Sequence, residues 1–203
     1  MKKLKSKSKR GKFIVIYGAN NLGKTTQLKL LARNIVENYR QLLVIKYPIY
    51  NIPSGIRIND ALRSNKKLTN LQLQKLFAKN RRDFQNTLIE ILNANINILA
   101  EDYTGTGIAW GMTMGIKFNS LKQINKGLII PDLAILLDGK RFKSSIEKNH
   151  RHENAGNEIW KKNRKIHLEL AEKFKWQIVN ANRKIEVINK ETWSLVSPVL
   201  ESI

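Results

Sequence analysis

One stretch constrains this chain more than any other: Phe13-Ile-Val-Ile-Tyr17 followed by Gly18-Ala-Asn-Asn-Leu-Gly23-Lys24-Thr25-Thr26. An apolar, β-branched run passes directly into G-x-x-x-x-G-K-[ST], the spacing of a loop that wraps phosphate oxygens. Gly18 and Gly23 permit the tight turn, and the loop's backbone N–H groups together with the N-terminus of the next helix supply donors. Lys24 is read as a solvent-facing ligand of β- and γ-phosphates, and Thr25 as offering its hydroxyl to Mg²⁺. After the loop, Leu28, Leu31, Ala32, Ile35 and Val36 recur at helical spacing, which is the strand–loop–helix setting the motif requires.

The rest of the chain repeats that alternation. The pattern predicts helices over about 24–39, 56–63, 70–95, 109–114, 120–125, 159–174 and 185–196. It places further strands at 42–46, 96–100, 133–137 and 176–179, with turns at Pro53-Ser-Gly55 and just after Glu101-Asp102-Tyr103. Strands alternating with helices of this length imply an α/β, three-layer arrangement: a five-stranded parallel sheet flanked by helices. Residues 1–12 read as a basic, disordered tail. Residues 13–203 read as a single domain, with a polar, strongly basic lid over about 138–158.

Composition excludes several classes. With no Cys there is neither a disulfide framework nor a thiolate metal site. No apolar run approaches the roughly 20 residues of a membrane span, and the first 12 residues lack the apolar stretch of a secretory signal. A cytoplasmic protein with no membrane partner is expected. The net charge of +21 suits polyanions in general, but the lysines are spread along helices with few aromatics between them. That pattern is read as a solvated surface rather than a nucleic-acid face.

In a parallel sheet, ligands bind beyond the carboxyl ends of the strands, which singles out Tyr47-Pro48, Glu101-Asp102-Tyr103 and the basic segment after Leu137 beside the phosphate loop. Leu76-Phe77-Ala78-Lys79-Asn80-Arg81 adds a ring and a guanidinium at i, i+4 on one helix face, able to grip a planar base from face and edge. With these residues in view, the chain resembles the thymidylate kinase family of phosphate-loop nucleoside monophosphate kinases from about Phe13 to the last helix. Leu76 to Arg81 is similar to that family's Leu-Phe-Ala-x-x-Arg. Tyr103-Thr-Gly-Thr106 resembles the segment after its Asp-Arg-Tyr, and Arg151-His-Glu153 its lid motif.

The resemblance implies ATP- and Mg²⁺-dependent phosphorylation of dTMP to dTDP by a homodimer. It assigns catalytic roles to Lys24, Glu101 and Arg151, and the metal to Thr25 and Glu101. ATP would be bound by Gly18, Asn21, Leu22, Gly23, Lys24, Thr25 and Thr26, and the acceptor by Asn20, Tyr47, Phe77, Arg81, Asp102, Tyr103 and Thr106. Two departures stand out. Tyr50 and Asp102 occupy positions where the family carries arginines for the acceptor phosphate, so Arg57, Arg82 or a lid lysine is expected to compensate. Two other readings stay open: a kinase for the unphosphorylated nucleoside, with Glu101 or Asp102 as general base, and a degenerate nucleotide-binding protein whose basic tail contacts nucleic acid.

Overall fold

The computed structural model describes residues 10–39, 41–63, 68–142 and 156–201. Arg151, the greater part of the expected lid and residues 1–9 lie outside them.

Five parallel strands form the sheet: β1 (Phe13–Tyr17), β2 (Leu42–Lys46), β3 (Asn97–Glu101), β4 (Leu133–Asp138) and β5 (Gln177–Asn180). Their order is β2-β3-β1-β4-β5, which puts β1 at the centre with all five residues buried. Strand period then divides its side chains. Ile14 and Ile16 face α1 (Lys24–Tyr39) and α7 (Ile185–Glu201), joining Leu31, Ile35, Val196 and Leu200 in one apolar cluster. Phe13, Val15 and Tyr17 face α3 (Asn70–Asn93) and meet Leu88 and Leu92 in another. Each such side chain contributes roughly 1.5–3 kcal/mol when withdrawn from water, and burial on both faces explains the unbroken apolar run of β1.

Between β1 and its two neighbours the chain crosses over in opposite directions, so a crevice opens above the carboxyl ends of β1, β3 and β4. The phosphate loop leaves β1 at that edge. The helix after β2 comes earlier than the sequence suggests: α2 spans Pro53–Arg63, because the residues read as a turn form its first turn. Proline tolerates the first helical position, where its missing N–H would have no partner. The helix is closed by contacts from Gly55 N and Ile56 N to the Ile52 carbonyl. A capping box starts α3, with Gln72 N donating to Thr69 Oγ1 (3.2 Å) and Thr69 N to Gln72 Oε1 (2.9 Å).

The second revision concerns the glycine-rich segment after β3, which is helical rather than a turn: α4 covers Thr104–Thr113. Glycine is intrinsically unfavourable in a helix by about 1 kcal/mol. Here the missing side chains permit close packing. A Cβ on Gly105 would lie 2.4 Å from the Trp176 ring and 2.9 Å from Tyr17, and one on Gly107 would lie 3.0 Å from the Arg81 guanidinium. Two further helices, α5 (Phe118–Ile124) and α6 (Asn157–Phe174), complete the set. Asn163 of α6 donates to Thr113 of α4, tying the two together at 2.9 Å.

The described residues begin before β1. Arg10 pairs with Asp132 at 2.7 Å, and Gly11 N donates to the Leu92 carbonyl. Only the part of the expected tail before Arg10 lies outside the described residues. Among the described residues no helix is long and apolar enough to cross a membrane.

Candidate active site

The crevice is a cleft of about 960 Å³. Asn20 to Thr26 line one wall, and the other is built from Tyr47, Phe77, Arg81, Glu101, Asp102, Tyr103 and Thr106. Every sequence-derived site residue among those described therefore borders one cavity, except Gly18, the first residue of the loop.

The loop is shaped by backbone geometry. Gly18 and Gly23 have φ of 155° and 77°, and Asn21 stands at 62°, a region that asparagine tolerates better than most residues. A Cβ on Gly18 would meet the Leu137 carbonyl at 2.8 Å. Neighbouring elements hold the loop from outside: Trp160 Nε1 donates to the Asn20 carbonyl at 2.8 Å, and Phe142 N to the Asn21 carbonyl at 2.9 Å. Lys24 differs from expectation. It is 7% exposed, because its ammonium folds back to donate to the carbonyls of Gly18 (2.9 Å) and Ala19 (3.2 Å) of its own loop.

Two carboxylates stand at the carboxyl end of β3. Glu101 accepts from Thr25 Oγ1 at 2.8 Å and lies 2.9 Å from Lys46 Nζ. Asp102, at φ 62°, accepts from Thr106 Oγ1 at 2.7 Å and lies 3.8 Å from Lys24 Nζ. Burial pushes the Asp102 carboxyl up from its ordinary range, with the nearby Lys24 charge opposing. Lys46 titrates above its ordinary value: burial works against the charged form, but the charge and hydrogen bond of Glu101 outweigh it. Thr25 and Glu101 offer hard oxygen donors of the type Mg²⁺ takes. Among the described residues no three His, Cys, Asp or Glu side chains converge on a metal position.

Across the cleft, Phe77 is half-buried. It packs on the cluster of Ile58, Ala61, Leu62, Leu73 and Leu76 while also lining the cavity. Arg81 is 3% exposed. It donates from NH2 to Asn125 Oδ1 at 2.8 Å and from NH1 toward the Tyr103 carbonyl at 3.5 Å. Burial draws its pKa down to about 10, against the opposing influence of Tyr103, Tyr17 and Tyr47, so it remains a cation at neutral pH. Among the described residues, Arg81 Nε and Tyr47 Oη are buried without a hydrogen-bond partner, and both residues border the cleft. Such groups favour a polar ligand at this wall.

The compensating arginines expected from sequence are elsewhere. Arg57 lines a separate hollow with Lys79 and Asp83, and Arg82 donates to the carbonyls of Ile124 and Lys126. Sequence reading also missed Lys46, Arg63, Phe142, Arg183 and Lys184 among the lining residues. Three of these were findable: Lys46 is the last residue of β2, and Arg183 and Lys184 follow the carboxyl end of β5, where ligand-binding residues are expected. Asp138, at the end of β4, is held by a bidentate pair with Arg164 at 2.7 Å for each bond, an arrangement no spacing rule announces.

Comparison with known proteins follows the same lines. The family model described as thymidylate kinase matches residues 16–192. A thymidylate kinase of Dictyostelium discoideum is 32% identical over 206 aligned residues, covering 98% of this chain and 90% of that protein. The solved thymidylate kinase of Candida albicans superposes with a TM-score of 0.77 at 25% identity, covering 93% of this chain and 92% of the other. That of Ehrlichia chaffeensis, at 19% identity, superposes with a TM-score of 0.76 over 92% of this chain and 99% of its own.

Proposed function

The chain belongs to the thymidylate kinase family, and on that premise we propose that the cleft transfers the γ-phosphoryl group of ATP to dTMP, giving dTDP and ADP. The observation that carries this reading is the joining of two unlike walls in one cavity. A phosphate loop with Lys24 and Thr25 stands on one side, and the Phe77–Arg81 pair stands on the other.

Roles follow from the geometry. Loop N–H groups and Lys24 hold the donor phosphates, the ammonium exchanging the Gly18 and Ala19 carbonyls for phosphate oxygens. Phe77 stacks on the acceptor base while Arg81, fixed by Asn125, presents its guanidinium to the base edge. An oxygen of the acceptor phosphate attacks the γ-phosphorus, and the bond to the leaving ADP oxygen breaks. Thr25 and Glu101, already hydrogen-bonded to each other, would hold Mg²⁺. When bound, that ion would neutralise charge on the phosphates and orient them. Asp102 and Thr106 brace Lys24 from the acceptor side.

Residues 13–203 constitute one kinase domain in this reading. The segment over about 138–158, with Arg151, closes on the donor phosphates and excludes water. A cytoplasmic homodimer fits as well, with Ile56, Leu71 and Ile89 offering exposed apolar side chains on α2 and α3.

The test is ATP-dependent phosphorylation measured across dTMP, dUMP, thymidine, deoxycytidine and dGMP. Turnover of dTMP well above the rest is expected. Phosphorylation of thymidine with dTMP left unused would overturn the assignment.

A further inference from the structure

An acceptor that carries a phosphate brings a dianion toward Glu101 and Asp102, so this wall needs a cation. Arg57 lines a separate hollow, and Arg82 is engaged with the Ile124 and Lys126 carbonyls. Arg81 is buried against Asn125, and Lys24 belongs to the phosphate loop. Arg183 pairs with Glu191, away from β3.

Lys46 is placed differently. It closes β2, pairs in register with Glu101 of β3, and immediately precedes Tyr47 of the acceptor wall. Its ammonium sits 2.9 Å from Glu101 Oε1, while the side chain as a whole is 55% exposed. A lysine offers three donors on a flexible four-carbon stem. One N–H can stay on Glu101 while the other two turn to phosphate oxygens, an option a buried residue would lack.

We propose that Lys46 is the acceptor-phosphate ligand of this enzyme, making the site prefer a nucleoside monophosphate over the free nucleoside. The inference rests on the thymidylate kinase reading. Glu101 also restrains Lys46, since their ion pair at 2.9 Å holds the ammonium beside the acceptor wall. The arrangement links the metal side of the reaction to the acceptor side through one carboxylate, because Glu101 bonds Thr25 through its other oxygen.

Calorimetric titration of the full chain with dTMP and with thymidine tests this, comparing the parent with Lys46→Met, which keeps the stem's volume, and with Lys46→Arg. Lys46→Met should weaken dTMP binding by about tenfold or more, the loss expected for a charge-assisted hydrogen bond, and move thymidine binding by less than about twofold. Lys46→Arg should recover most of the dTMP affinity. In turnover the KM for dTMP should rise with that for ATP unmoved. Equal weakening of both ligands, or a fall in kcat with dTMP affinity intact, overturns the proposal by reducing Lys46 to a prop for Glu101. An unaltered Lys46→Met beside an Arg63→Met that loses dTMP would transfer the role to Arg63 and overturn it too. If the parent itself neither binds nor phosphorylates dTMP, the assigned function falls and this inference falls with it.

Discussion

The two walls of the cleft are made in opposite ways. The loop wall comes from one contiguous stretch, Asn20 to Thr26, whose shape is set by the torsions of Gly18, Asn21 and Gly23. The acceptor wall gathers Lys46 from the end of β2, Phe77 and Arg81 from α3, Glu101 and Asp102 from the end of β3, and Thr106 from α4. A wall made of backbone depends little on side chains beyond Lys24 and Thr25. A wall made of side chains from four elements depends on each element's packing, so its residues serve substrate and fold together.

That contrast sets the expected outcomes. The largest effect belongs to Lys24→Met. It should lower turnover by about 10²–10³-fold or more, the range for losing a preorganised charge at a transition state, while changing stability by less than about 1.5 kcal/mol, because methionine keeps the buried stem's volume. Steady-state rates and melting curves on the same preparation decide it. A variant that unfolds in step with its loss of activity would erase the distinction between the walls.

Arg81→Met comes next and should act on both substrate and fold. The KM for dTMP should rise about tenfold to a hundredfold, and stability should fall by about 1–3 kcal/mol, since Asn125 Oδ1 loses its donor in a buried setting. Denaturant titration beside acceptor kinetics measures the two losses separately. Loss of only one of them would show that the acceptor wall can be divided into binding and structural parts after all.

Phe77→Ala should raise the KM for dTMP by roughly fivefold to a hundredfold, the range of base stacking, and leave the KM for ATP unmoved. Because Phe77 is only half-buried, its stability loss should stay below the roughly 3–5 kcal/mol of a fully buried phenylalanine. A loss as large as that, with little change in KM, would make the ring a core residue alone.

The smallest effect is on pH. His167, on α6 beneath α4, is fully buried, and burial draws its pKa down to about 4, opposed by its hydrogen bond with the Asn163 carbonyl. A depressed folded pKa gives stability that is complete above the unfolded value near 6.5 and is lost as pH falls toward the folded one. Going from about pH 7.5 to about pH 5.5 should cost about 1 kcal/mol through this group, and His167→Gln should flatten that slope. Denaturant midpoints at the two pH values check it. An unchanged slope would place the acid sensitivity elsewhere.

Much of this was legible in the chain. The phosphate loop could be read because its signal is local: residues at fixed offsets share one turn, whatever the rest of the molecule does. The period of β1 and the i, i+4 placement of Phe77 and Arg81 are local in the same sense, since strand and helix geometry alone put those side chains on their faces. Only the tertiary structure decided that Lys24 lies 3.8 Å from Asp102, because β1 and β3 must pair before the loop and the end of β3 meet. It also decided that Lys46 reaches Glu101, which depends on the parallel register of β2 against β3. Arg81 finds Asn125 only when α3 and α5 pack, across 44 residues of sequence. Likewise the glycines read as a turn lie in a helix, packed so closely that Tyr17 and Trp176 leave no room for a Cβ at Gly105. Covalent geometry fixes what lies within a turn or two of the chain. The partners of charged and aromatic side chains are fixed by contacts between distant segments, which exist only once the sheet has taken its order.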